Sequence, residues 1–134
     1  MREEDKMKYK IKMKKGDIPM LIENVVYVPS TNKNQVILNQ KLINKRVNEV
    51  RRYLSKKYGG YTSISGVGGW LKGKKLIVEP VIQVHSFSTK TSKNLVKQIR
   101  TWGKKWGQDE MAYELEGDLY RLKIEKKLNK KRRR

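Results

Sequence analysis

Apolar and polar residues change period several times along this chain, and each change marks an element. In residues 6–15, KMKYKIKMKK, Lys6, Lys8, Lys10, Lys12 and Lys14 fall on one parity and Met7, Tyr9, Ile11 and Met13 on the other. That two-residue period predicts a half-buried strand. Gly16, Asp17 and Pro19 signal a turn. The β-branched run MLIENVVYVPS, closed by Pro29 and Ser30, predicts a second strand. After the loop TNKNQ the period lengthens. Ile43, Val47, Val50, Leu54 and Tyr58 recur at spacings of four, three, four and four, a helical stripe that Gly59 and Gly60 end.

The segments YTSISGVGGWL and KLIVEPVIQVHSF then predict two strands joined by a tight turn at Lys72, Gly73 and Lys74. Pro80 has no N–H to give a ladder, so it belongs at a bulge or on an edge. A second helix carries Leu95, Ile99, Trp102 and Trp106 on one stripe, with Ser92 as its N-cap and Gly107 at its end. MAYELEGDLYRLKI predicts a last strand or a small hairpin turning at Glu116, Gly117 and Asp118. The order strand, helix, strand, strand, helix, strand predicts an α+β fold of the ferredoxin-like split βαβ kind, with both helices on one face of an antiparallel sheet and an extra N-terminal strand. The expected organisation is a lysine-alternating strand or arm over residues 1–16, an α+β domain over 17–125 and a basic tail over 126–134.

From about Tyr58 to Leu115 the chain runs Gly59-Gly60, Gly68-x-Trp70, Glu79-Pro80-Val81 and a helix ending in Gly107-Gln108. This order resembles a family of short bacterial and phage proteins of unknown function. The resemblance covers under half of the chain, implies a small α+β fold, and carries no activity or site residue across.

Charge changes the picture. The chain has 33 Lys and Arg against 13 Asp and Glu, a formal net charge of +20. An excess of that size repels itself in a compact fold and points to a polyanionic partner. Cysteine is absent, which excludes disulfides, thiol nucleophiles and cysteine-based zinc sites. No run approaches the roughly 20 apolar residues of a membrane span, and the first ten residues lack an apolar signal core. The expected location is the cytoplasm, with nucleic acid. GGYTSISGVGG lacks the Gly-Lys-Ser/Thr ending of a phosphate loop and opens a strand where a phosphate cradle opens a helix. No cofactor and no metal are expected.

At about 100° per residue, Lys41, Lys45, Arg52 and Lys56 cluster opposite the apolar stripe of the first helix. Lys93, Lys97, Arg100 and Lys104 do the same on the second. One such face alone is an ordinary solvated face. Here, however, Glu49 is the only acid on the first helix and none occurs between Glu79 and Asp109, so like-charged neighbours at i,i+4 go uncompensated. Lys126, Lys127, Lys130, Lys131, Arg132, Arg133 and Arg134 crowd the last nine positions. With Lys8, Lys10 and Lys12 of the opening run, these cations predict a nucleic-acid-binding protein, for DNA or RNA, that acts through sequence-independent phosphate contacts and not as an enzyme. Tyr27, Tyr61, His85 and Phe87 are candidates for the open sheet face, as stacking rings or as the interface of a homo-oligomer. No membrane partner is expected. An alternative is an oligomeric structural or interaction module, such as a particle component. A third is a metal-dependent nuclease using Asp118 and Glu125, with Glu79 as a further carboxylate.

Overall fold

The computed structural model describes residues 12–125. Five strands and two helices follow in the order β1 (Ile22–Val28), α1 (Gln40–Tyr58), β2 (Thr62–Lys72), β3 (Lys75–Ser88), α2 (Lys93–Lys105), β4 (Glu110–Leu115) and β5 (Asp118–Lys123). All neighbours in the sheet are antiparallel, and their order is β2-β3-β1-β4-β5. The last segment is a hairpin, so the fifth strand is β5. Of the predicted N-terminal strand, Lys12–Lys15 form no strand and lie exposed, and the rest lies outside the described residues. The reason is local. The Asp17 carboxylate accepts from Lys14 N–H at 2.7 Å and Asp17 N–H donates to the Lys14 carbonyl at 2.9 Å. These bonds close a turn with backbone groups that a ladder would need.

Alternation decides which side of the sheet is buried. Val26 and Val28 of β1, Ile82 and Val84 of β3, Met111 and Tyr113 of β4 and Leu122 of β5 face the helices. They meet Ile43, Val47, Val50 and Leu54 of α1 and Leu95, Ile99, Trp102 and Trp106 of α2 in one core. The helical stripes read from the sequence are the buried ones. Trp102 and Trp106 stack in parallel at 5.9 Å, and Tyr53 meets Trp102 edge-on at 5.4 Å. Glu49, the lone acid of α1, ties the helices together: it accepts the Trp102 indole N–H at 3.1 Å and pairs with Lys105 at 3.0 Å. Asn39 caps α1 through its side chain, and Gly59 closes it at φ 96°. Ser92 stands at the N-cap of α2 without a side-chain cap bond.

β2 and β3 outrun the sheet. β1 pairs with β3 only from Ile82 to Ser88, whereas β2 and β3 stay paired out to Lys72 and Lys75. Past Ile82 the hairpin therefore continues as a two-stranded arm. Pro80 sits at the start of that arm, opposite Val67. Its carbonyl accepts from Ser30 Oγ at 2.7 Å. The N and C=O of one strand residue point to the same side, so the missing N–H faces away from β2 and breaks no ladder bond.

Candidate functional site

The arm, two loops and the end of β5 line an open cleft of about 800 Å³. The β1–α1 loop supplies Thr31, Asn32, Lys33, Asn34 and Gln35. The arm supplies Trp70, Lys72, Ile77 and Glu79. The α2–β4 turn supplies Gly107, Gln108, Asp109 and Glu110, and β5 supplies Arg121 and Lys123. Trp70 and Ile77 are cross-strand partners, and Gly68 pairs with Glu79 in the same register, so the indole, the isoleucine and the carboxylate share one face of the arm. Glu79 is half-buried, with no side-chain hydrogen bond or ion pair to the described residues. Arg121 is engaged by Glu110 through bonds of 3.0 and 3.1 Å. Lys33, Lys72 and Lys123 remain as cations along the rim.

The loop wall is built by an internal network. The Asn32 side-chain oxygen accepts the N–H groups of Asn34 and Val36 at 2.8 and 3.1 Å, and Gln35 N–H donates to the Asn32 carbonyl at 2.9 Å. This turn holds Gln35 in the left-handed region at φ 63°, a conformation that costs a non-glycine residue energy and clusters at sites. Arg46 secures the base of the loop. It is 8% exposed, donates to the carbonyls of Pro29 and Thr31 at 2.8 and 2.9 Å, and lies 5.1 Å from the Trp106 ring centroid. Burial pulls its pKa below the usual arginine value. Gln108 donates to the same Thr31 carbonyl at 2.8 Å and to Trp106 O at 3.0 Å. Gly107, at φ 69°, lets the two loops touch: a Cβ there would lie 2.6 Å from Lys33 Cβ and 3.2 Å from Lys33 Cα.

Of the cations proposed from the sequence, none among the described residues lines this cleft. Lys41, Lys45, Arg52 and Lys56 are exposed on α1, and Lys93, Lys97, Arg100 and Lys104 are exposed on α2, on the helical side of the sheet. Arg100 donates to the Lys123 carbonyl at 2.6 Å. Lys12 is exposed in the irregular stretch. Lys8, Lys10, Lys126, Lys127, Lys130, Lys131, Arg132, Arg133 and Arg134 lie outside the described residues. The signals that could have found the cleft were the polar loop STNKNQ between a strand and a helix, and the pair Gly68-x-Trp70 and Glu79-Pro80.

The aromatic expectations divide. Tyr27, His85 and Phe87 do share the open face, through the pairs Tyr27 with Gln83, Val25 with His85 and Glu23 with Phe87. Two of them are committed to polar bonds. Tyr27 donates to Glu114 at 2.5 Å, and that bond, with burial and the carboxylate charge, pushes its pKa up to about 12. The His85 ring nitrogens sit 3.0 Å from Glu23 and 2.9 Å from Gln83. Tyr61 is not on that face. It stands beside α1, with the Arg51 guanidinium 5.3 Å from its ring centroid. The nuclease constellation does not assemble either. Asp118 opens β5 at the hairpin and Glu125 lies past its other end, about 20 Å away at strand rise. Among the described residues no group of three or more His, Cys, Asp or Glu is placed to hold a metal ion, and no helix is long and apolar enough to cross a membrane.

The architecture is that of a small α+β protein, two helices on a five-stranded antiparallel sheet, and solved proteins share it. A phage SAM lyase in complex with S-methyl-5'-thioadenosine superposes with a TM-score of 0.54 at 11% identity, over 77% of this chain and 89% of that one. The apo state of a phage SAM lyase gives a TM-score of 0.54 at 13% identity, over 78% and 90%. No protein-family model and no curated protein matches the chain. The structural likeness corrects the expectation of a nucleic-acid-binding protein: the solved structures that share this fold are those of an enzyme, one of them holding a nucleoside thioether.

Proposed function

We propose that this chain is an enzyme of the SAM-lyase type, built on a ferredoxin-like split βαβ frame with β5 added after the last core strand, and that it takes an adenosyl sulfonium substrate in the cleft beside the arm. The observation that carries the reading is the fold shared with a phage SAM lyase over 89–90% of that chain, once with S-methyl-5'-thioadenosine bound. The cleft supports it chemically. Trp70 beside Ile77 offers a flat apolar surface for a purine. Glu79, unpaired among the described residues, suits the sulfonium charge, and Lys33 or Lys123 suits the carboxylate at the other end of the substrate.

Releasing S-methyl-5'-thioadenosine from S-adenosylmethionine breaks the bond between sulfur and Cγ of the amino-acid portion. The bonding pair moves to sulfur and cancels its positive charge. A lyase uses no water, so the balanced route closes the substrate's own carboxylate oxygen onto Cγ as a lactone. The leaving group is already a neutral thioether, so the protein has no proton to deliver. Its work is to fold the amino-acid chain into the attack geometry and to keep water out. Charge disappears in the transition state, so Glu79 would favour the bound sulfonium more than the transition state. Its role is binding and orientation.

The test is to incubate the full chain with S-adenosylmethionine and separate the products by chromatography with mass detection. Release of S-methyl-5'-thioadenosine is expected, together with weaker substrate binding in Glu79→Gln and Trp70→Ala. Absence of that product, with no calorimetric binding of S-methyl-5'-thioadenosine, would overturn the reading.

A further inference from the structure

We propose that the hollow where the last turns of α1 meet Tyr61 is a site for a small oligophosphate, a chain of linked phosphoryl groups that is either inorganic or the tail of a nucleoside triphosphate. It is open, about 600 Å³, and lined by Asn48, Arg51, Arg52, Ser55 and Lys56 of α1 and by Tyr61. The five helical positions are spaced three, one, three and one apart, so they share one face of α1. Gly59 in the left-handed form turns the chain back, and Ser86 Oγ pins that turn by donating to the Gly60 carbonyl at 2.7 Å. Tyr61 is thereby set against the helix. The hollow shares no lining residue with the cleft.

Arg51 is held there from three sides. Its Nε donates to Ser63 Oγ at 2.9 Å and its Nη1 to Asn48 Oδ1 at 3.1 Å, while its Cζ lies 5.3 Å from the Tyr61 ring centroid. A free arginine side chain loses rotamer entropy when it grips a ligand. Here the neighbours have already fixed it, and such pre-organisation lowers the cost of binding. Both acceptors are neutral, so the charge is uncancelled and the rest of the fork is unused among the described residues. Arg52 and Lys56, exposed and four residues apart, add like charge. Among the described residues no carboxylate pairs with any of these three cations. Glu49, the lone acid of α1, is committed to Trp102 and Lys105.

The chemistry of the ligand follows. Lys56 and Lys57 in the last turn complement the helix dipole, but that role does not call for a guanidinium fixed over an aromatic ring. A fixed fork suits the paired oxygens of a phosphoryl group. A singly charged anion would leave most of the positive charge unmet, whereas linked phosphoryl groups meet Arg51, Arg52 and Lys56 together. One guanidinium is held, and it is held in a hollow rather than along a track, so the fit is to a small molecule. Tyr61 is 46% exposed, which leaves ring surface for a nucleoside base.

The experiment is calorimetric titration of the full chain with tripolyphosphate in about 150 mM salt, where attraction beyond about 8 Å is screened. Binding is expected, with a shift of the Arg51 Nε–H resonance in the nitrogen–proton spectrum of the unmodified protein. Arg51→Lys keeps the charge and removes the fork, and is expected to weaken binding about tenfold or more. Lys97→Gln removes a charge on α2 and should change it less than about twofold. Ser63→Ala keeps the guanidinium and releases one of its tethers, so it should weaken binding with an unchanged far-ultraviolet spectrum. Uridine triphosphate separates the two sources without engaging the cleft assigned to an adenosyl group. Tighter binding than tripolyphosphate, lost in Tyr61→Leu, marks a nucleotide; equal binding marks the inorganic chain, and either supports the site. No binding of either ligand, an unmoved Arg51 resonance, or equal losses in Arg51→Lys and Lys97→Gln would each overturn the proposal.

Discussion

Replacing Arg46 by methionine tests whether one buried cation holds the wall of the cleft. The guanidinium gives hydrogen bonds of 2.8 and 2.9 Å to the carbonyls of Pro29 and Thr31 and lies 5.1 Å from the Trp106 ring centroid. Two bonds from a charged donor contribute about 1.5 kcal/mol each at the lower end of their range, and the cation–π contact about 1 kcal/mol. Methionine keeps much of the stem's packing and removes the cost of burying a charge, an offset of about 1 kcal/mol. The Thr31 carbonyl retains Gln108, and the Pro29 carbonyl loses its side-chain donor. The expected net loss is therefore about 3 kcal/mol, and a urea slope of about 2 kcal/mol/M turns it into a midpoint lower by about 1.5 M. Trp102 and Trp106 stand beside the change, so tryptophan fluorescence during urea unfolding reads it directly. Lys45→Met, one residue away and exposed, should shift the midpoint by no more than the ordinary surface range of about 0.5 kcal/mol. Equal losses in the two variants, or a loss below about 1 kcal/mol for Arg46→Met, would show that the bracing argument is wrong.

Three further outcomes are expected. Gly107→Ala forces a left-handed residue to carry a Cβ 2.6 Å from Lys33 Cβ, so it should lower the melting temperature through a loss of about 1–3 kcal/mol and weaken any ligand held between the two loops, as calorimetry would show. Glu49→Ala removes the acceptor of the buried Trp102 N–H and should cost about 1–3 kcal/mol in thermal unfolding, while Glu49→Gln keeps an acceptor and should cost less. The alkaline limb of stability depends on two tyrosines whose pKa values rise from 10.0 to about 12: Tyr27 through its bond to Glu114, and Tyr113 first through burial. A raised tyrosine pKa means that the unfolded chain gives up protons which the folded chain keeps, so this stability is fully present below pH 10 and is lost as pH rises towards 12. Tyr27→Phe and Tyr113→Phe should each flatten that decline in alkaline urea titrations, and an unchanged slope would argue against both assignments.

The elements were legible because periodicity is a local property. The stripe from Ile43 to Tyr58 and the stripe from Leu95 to Trp106 are the faces that α1 and α2 bury, and Gly59 closes its helix in the left-handed form expected of it. The hairpin about Glu116 and Gly117 also follows from its own residues. The opening alternation misled for the same reason. A two-residue period says which residues would share a face if a strand formed, and it says nothing about a neighbour to pair with. Lysine counts misled about function in a similar way, since an outer helical face rich in lysine looks alike whether it meets an anion or only water.

The sequence by itself determined the type and order of the elements from β1 onward, with the last segment left as one strand or a hairpin, the helical faces that form the core, and the net charge of +20. Each follows from spacing or composition along one stretch of chain. Only the tertiary structure decided the cleft and the arm. Asn32, Trp70, Glu79, Gln108 and Lys123 come from four separate segments, and nothing in any one of them points to the others until strand order β2-β3-β1-β4-β5 sets them around one space. Whether Val67 and Leu71 were core or surface was likewise undecided until β1 stopped pairing at Ile82 and left the hairpin to run on without it. Burial depends on what lies across the gap, and that is fixed by long-range pairing rather than by any residue's own neighbours in the chain.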